Sequence, residues 1–189
     1  MQKWEEIARK DMADGVAEVP GAASHPRILE YNKYVKYGKA SDDEAWCAKF
    51  MNAVFEESGI KGTNSPAARS FLNWGVPLHA PIPGCVVVYW RDKPEGWTGH
   101  VHLYVREDEK NIYGIGGNQG NKVCEAPYPK DRVLAFRWPA GVAIPEPDAE
   151  QVISVAIVDA MALRDEFARV GNLMLGWSKE LSAAIEGVA

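Results

Sequence analysis

Cysteine is scarce and unpaired in this chain of 189 residues: Cys47, Cys85 and Cys124 are 3 in number and none stands in a CxxC spacing. An odd count without close pairs argues against both a disulfide framework and a four-thiolate zinc site, and it leaves at least one thiol free. Long apolar runs are missing too. The longest, Val152 to Leu163, is about a dozen residues with Asp159 inside it, short of the ~20 needed to span a bilayer, so no membrane span is predicted. Nor is there a basic run: 21 Lys and Arg against 26 Asp and Glu leave a formal charge of −5, with no cationic stripe to gather phosphates. Nucleic acid is therefore not an expected partner. Met1 to Asp14 is charged and amphipathic, without the positive start, apolar centre and small-residue cleavage site of a secretory signal, so synthesis in the cytoplasm is expected. No dinucleotide fingerprint can be read, because in Gly116-Gly117-Asn118-Gln119-Gly120 the position a GxGxxG loop would need is Gln119. No cofactor is implied.

What the chain does have is enough apolar material for a core, with 47% hydrophobic and 25% charged residues. Trp4, Ile7, Ala8 and Met12 recur at helical spacing and stop at Gly15, which predicts a short first helix. A second is expected with Pro26 in its first turn and Ile28, Leu29 and Tyr31 on its buried side. The third is marked by Ser41 and Glu44 at capping-box spacing, an apolar stripe of Trp46, Phe50, Val54 and Phe55, and a stop at Gly59-Ile60. A fourth is expected from Ser65-Pro66 to Gly75. After Pro83-Gly84 the period becomes extended: Val86 to Trp90, Val101 to Val105, Ile112 to Ile115, Val123 to Ala126 and Val133 to Trp138 are β-rich runs parted by Gly, Asn, Asp and Pro. Helices first and strands after, with connections too short for crossovers, predict a segregated α+β domain over residues 1–140 with an antiparallel sheet of about five strands.

Residues 141–147 are Pro-rich and read as a linker, and residues 148–189 as a helical extension. In that extension Ala156, Ala160, Leu163, Phe167, Val170, Met174, Trp177, Leu181, Ala184 and Val188 alternate by four and three, a heptad seam. Gly171 and Gly176 each weaken a continuous rod by about 1 kcal/mol relative to Ala, so a break into two helices competes with it. Folding back on the domain and self-association or partner docking both remain open.

A cysteine, a histidine and an amide stand on separate elements in an order that suits thiol nucleophilic catalysis: Cys47, His100, Asn118. The attacking species is a thiolate, and a thiol near pKa 8.5 reaches it at neutral pH only beside a helix N-terminus, a cation or a base. With Asp43 as N-cap, Cys47 lies in the first helical turn, where unpaired amides point at the sulfur and can serve an oxyanion; with Ser41 as cap that benefit shrinks. Asp42, Asp43 and Glu44 oppose the thiolate, which leaves the stabilisation to His100. His102 shares its face of the strand, and Asn118, chosen over Gln119, would orient the ring. Each residue also has a plainer role, Cys47 as a small core residue beside Trp46 and Phe50, and His100-x-His102 as ordinary strand residues or, with a cysteine, as zinc ligands lacking a spaced third partner. The residues by themselves leave these alternatives open.

Taken together, Gly15-Val-Ala-Glu-Val-Pro-Gly21, His25-Pro-Arg-Ile-Leu-Glu-Tyr31, Asp43-Glu-Ala-Trp-Cys-Ala-Lys-Phe50, Ala68-Arg-Ser-Phe-Leu-Asn-Trp-Gly75, Gly99-His-Val101, Gly116-Gly-Asn-Gln119 and Arg137-Trp-Pro139 resemble, in order and spacing, a branch of the NlpC and CHAP cell-wall cysteine peptidases common in bacteriophages. The resemblance covers roughly residues 4–139. It implies a papain-like fold and a peptidoglycan hydrolase, an endopeptidase or N-acetylmuramoyl-L-alanine amidase. Cys47 would be the nucleophile, His100 the base and Asn118 the orienter, with Trp46, Gln119 and Asp43 at the substrate and no metal or cofactor. Lacking an export signal, such an enzyme would reach the wall through phage lysis or virion delivery. An interbacterial toxin amidase and an inactive wall-binding or virion module are the alternatives. Cys85 stands where relatives often carry Asp after Pro-Gly, and residues from Asp148 onward have no counterpart in the family pattern.

Overall fold

The computed structural model describes residues 1–21, 24–37, 41, 44–145, 164, 166–172 and 174. The chain divides into two compact units, Met1–Val142 and Ala143–Ala189. In the first, α1 (Lys3–Ala13) starts from Gln2, whose backbone N–H donates to Glu5 Oε2 at 2.9 Å, and ends just before Gly15 at φ 70°. Its Trp4 indole donates to Gly84 O at 2.8 Å, tying the helix to the entry of the sheet.

Pro26, pre-set for a helix start, opens α2 (Pro26–Glu30), which tightens into a 3-10 turn over Tyr31–Tyr34. Ile28 and Tyr31 are buried as the periodicity predicts. Arg27 then joins three helices: it pairs with Asp11 of α1 at 2.9 Å and with Glu57 of α3 (Cys47–Glu57) at 2.8 Å, while Tyr31 Oη donates to Asp11. Along α3, Phe50, Met51, Val54 and Phe55 have no exposed surface, each worth about 1.5–3 kcal/mol of burial.

Two expectations about helices are corrected. Ser41 and Glu44 do not cap α3, which begins at Cys47 with Trp46 as N-cap and no side-chain cap bond. Glu44 instead reaches Lys49 Nζ at 2.6 Å, an attraction between opposite charges with the lysine wholly buried. The segment after Ser65-Pro66 is a 3-10 helix over Ala68–Asn73 rather than an α-helix. Confined between a proline and Gly75 at φ 59°, it closes i→i+3 bonds, Ser70 N to Ala67 O at 3.0 Å and Trp74 N to Phe71 O at 3.2 Å.

The sheet has six strands rather than five: β1 (Val76–Leu78), β2 (Val86–Trp90), β3 (Gly99–Glu107), β4 (Asn111–Gly116), β5 (Cys124–Pro129) and β6 (Val133–Trp138), in the order β1-β6-β2-β3-β4-β5. Every neighbouring pair is antiparallel. β1 escapes sequence detection because it is short and centred on Pro77, a residue that only an edge strand tolerates. α3 packs against β3 and β4, which brings the start of one helix to the middle of the sheet.

In the second unit the described residues between 164 and 174 are helical, and Phe167, Val170 and Met174 on them are exposed. The other seam positions, and residues 146–163, lie outside the described residues. Among the described residues no helix is long and apolar enough to cross a membrane.

Candidate active site

Cys47 is the first residue of α3, so its sulfur stands where the helix has unpaired amide N–H groups and the positive end of its dipole. Its surface is 5% exposed. Burial is the largest influence on the thiol and pushes its pKa up, while the Arg91 guanidinium and the backbone of Ala48 and Val101 pull it down. Val101 is next to His100 on β3, so the same contact that acts on the sulfur marks the strand that carries the histidine.

His100 and His102 are two apart on β3, face the same side and are both fully buried. Gln119 joins them. Its Oε1 lies 2.9 Å from His100 Nε2 and 3.3 Å from His102 Nδ1, and its Nε2 donates to the carbonyls of Gly114, at 3.1 Å, and Cys124. Because those carbonyls only accept, the amide orientation is fixed and Oε1 must face the rings.

The tautomers follow. A side-chain carbonyl oxygen cannot donate, so His100 carries its proton on Nε2 and His102 on Nδ1. Arg91 Nη2, which can only donate, faces His100 Nδ1 at 3.3 Å and requires the same assignment from the other side of the ring. His102 Nε2 is then free to accept from Tyr89 Oη at 2.8 Å. Burial, His102 and Arg91 hold the His100 pKa well below its ordinary value, against the Gln119 bond that raises it. Burial holds His102 down to about 3. Both rings are neutral at pH 7, and the lone pair of His100 is on Nδ1, where Arg91 Nη2 meets it. Tyr128 stacks on the His100 ring at 4.3 Å and 7°, restricting it to one plane.

Asn118 is placed elsewhere. It adopts φ 57°, and with its amide oxygen turned to Trp46 it accepts from Trp46 Nε1 at 3.3 Å and Trp46 N at 3.2 Å. It therefore holds the start of α3, and Gln119, the neighbour passed over in sequence reading, is the amide on His100. The turn that carries both is pinned by the N-terminal segment, through Glu18 N to Asn121 O at 2.8 Å and Val123 N to Val16 O at 2.8 Å. Glu18 also accepts from Trp46 Nε1 at 2.8 Å. Trp46, expected at the substrate, has no exposed surface and packs on Tyr31. Asp43 lies outside the described residues.

Sequence reasoning missed Arg91, Tyr89 and Tyr128. In the β2–β3 register Tyr89 faces His100 and Trp90 faces Gly99, so a hairpin drawn from the strand runs would have set Arg91 opposite Thr98 at the end of the ladder. β2 is apolar on both faces and offers no alternation from which to set that register.

As zinc ligands the two histidines are poorly available, since their ring nitrogens face Gln119, Tyr89 and a guanidinium. Among the described residues no cluster of three or more His, Cys, Asp or Glu is arranged to hold a metal. A surface pocket of about 410 Å³, bordered by Lys10, Asp11, His25 and Arg27, does not include Cys47 or His100. Its arginine is already committed to Asp11 and Glu57.

No protein-family model matches the sequence, and no curated protein matches it. Among solved structures the chain is similar to a protein described as similar to lipoprotein, NLP/P60 family, from Staphylococcus aureus subsp. aureus Mu50, at 13% identity and a TM-score of 0.37. The similarity covers 71% of this chain and 60% of that one.

Proposed function

We propose that this chain is a cysteine peptidase or amidase that cleaves an amide bond of bacterial peptidoglycan. The observation that carries the reading is a thiol at the first position of a buried helix, packed on the strand of a histidine whose tautomer Gln119 fixes with its lone pair on Nδ1. The ordered motifs around Cys47, His100 and Gln119 support the wall peptide as substrate.

In this reading the resting pair is a neutral thiol and a neutral imidazole, so the proton leaves Cys47 for His100 Nδ1 as the sulfur attacks the carbonyl carbon. The tetrahedral oxyanion is met by amides of the first turn of α3. The imidazolium, held by Gln119, returns its proton to the departing amine, and water then cleaves the thioester by the same route reversed. Release by phage lysis or carriage on a virion is the setting this activity would serve.

Clearing of purified walls by wild type and by Cys47→Ala tests the proposal. Loss of clearing in the variant is expected, and equal clearing by both ends the thiol mechanism. Mass spectrometry of the released fragments identifies the bond. The depth of Cys47 and His100 favours a second reading, a non-catalytic wall-binding module, for which neither protein would clear walls while both would sediment with them.

A further inference from the structure

Arg91 follows β2, its backbone N–H donating to Thr98 O at 3.3 Å across the hairpin. Its side chain is exposed, yet Nη2 reaches the Nδ1 of a histidine with no exposed surface. One end of this guanidinium meets the buried His100 ring and the rest is open to solvent. It also bears on the Cys47 thiol and the Tyr128 hydroxyl.

Three other arginines of this unit are committed to fixed partners. Arg27 is matched by Asp11 and Glu57, and Arg137 donates to the carbonyls of Trp74 and Gly75. Arg69 clamps the very loop that begins at Arg91, donating to Thr98 O at 2.8 Å, Pro94 O at 2.9 Å and Lys93 O at 3.2 Å. Arg91 is different. Among the described residues no carboxylate lies within ion-pair distance of it, and the adjacent Asp92 accepts from Thr98 Oγ1 at 2.7 Å. A fork of five donors thus lies against a neutral imidazole and within electrostatic reach of a neutral thiol, on a loop already held in place.

We infer that Arg91 is the specificity residue of this site and receives a free carboxylate of the substrate close to the scissile amide. The inference rests on the hydrolase reading for its ligand, a short wall peptide. A carboxylate is the planar partner that a guanidinium binds through two parallel hydrogen bonds, and an imidazole nitrogen offers only one. Binding it draws Nη2 away from His100 Nδ1 and frees the lone pair that must take the Cys47 proton. Recognition of the acid and exposure of the base are then one event.

The test uses the full chain carrying Cys47→Ala, with calorimetric titration of two purified muropeptides that differ only in whether the carboxyl nearest the cleaved amide is free or converted to the primary amide. Cys47→Ala is expected to bind the acid at least about tenfold more tightly than the amide. Adding Arg91→Gln should bring the acid to the level of the amide, and Arg91→Lys should restore part of the preference. In the active protein Arg91→Gln should raise KM for the acid with little change in kcat. Equal binding of the two peptides, a preference that survives Arg91→Gln, or binding of neither overturns the inference. Cys47-dependent wall cleavage without an acid preference leaves the hydrolase reading standing alone. An Arg91-dependent preference in a protein that cleaves nothing leaves recognition standing and the hydrolase reading refuted.

Discussion

Gln119 holds His100 through a 2.9 Å contact between its side-chain oxygen and Nε2, and the same oxygen reaches His102 at 3.3 Å. One amide therefore sets the proton positions on two buried rings, with its own NH2 fixed by the carbonyls of Gly114 and Cys124. The chemistry proposed for Cys47 depends on that arrangement, because a base must offer a lone pair and not a proton.

Gln119 and Asn118 should separate by substitution. Gln119→Ala frees the His100 ring and leaves its Nε2–H buried without an acceptor, so wall hydrolysis should fall by roughly 10²-fold or more. Asn118→Ala removes the acceptor from Trp46 at the head of α3 and should chiefly cost stability, about 1 kcal/mol by analogy with loss of a helix cap. Initial clearing rates and urea unfolding of the two variants check this; the opposite ranking in clearing would return the orienting role to Asn118.

The Cys47 thiol should show its burial in the pH dependence of alkylation. With its pKa raised by desolvation, the thiolate fraction at pH 7 is small and grows about tenfold per pH unit until the pH passes the raised value, above 9.0. Iodoacetamide labelling followed by peptide mapping should find Cys47 slow at pH 7 and still accelerating at pH 9. Cys85, pushed up to about 12 by burial, should lag behind it. A Cys47 labelling rate that levels off below pH 8 would mean that Arg91 and the helix start outweigh burial.

Acid should unfold the protein through its buried histidines. His102 has a folded pKa lowered to about 3 from 6.5, so between those values the unfolded chain binds more protons and stability falls as pH falls. Its contribution is fully present above 6.5 and declines by up to about 1.4 kcal/mol per pH unit down to about 3. Denaturant unfolding from pH 7 to pH 4 measures the slope. His102→Gln should be flatter than wild type by up to one proton, and an unchanged slope would show that His102 is not the buried neutral group described here.

A methyl group at Gly117 should disturb the site without touching a polar residue. A Cβ there would run into the Trp46 ring and the Phe50 Cβ, at the junction of the turn and the head of α3. Gly117→Ala is expected to cost about 1–3 kcal/mol and to slow wall clearing by shifting Cys47 relative to His100. A crystal structure of the variant with Trp46 unmoved would contradict the cause.

Much of the scaffold could be read from local pattern. The apolar runs of β2 and β6 and the helical spacing of Trp4 to Met12 each stand where expected, and the Gly- and Asn-bearing breaks between strand runs carry positive φ at Asn118, Gly120 and Asn121. Burial of one face leaves a period in the sequence, and a turn leaves residues that tolerate positive φ. The presence of a cysteine and a histidine on separate elements was legible in the same way, since each lies beside a recognisable helix or strand.

Local pattern thus carried the order of most elements, with β1 the exception, the α+β class and the residue types available for chemistry. It took the packed chain to start α3 at Cys47, to set Gln119 rather than its neighbour on the imidazole, and to bring Arg91 to the same ring. Those are relations between segments far apart in the chain. Adjacent residues in a tight turn point in different directions, and a strand buried on both faces carries no period from which its register could be deduced.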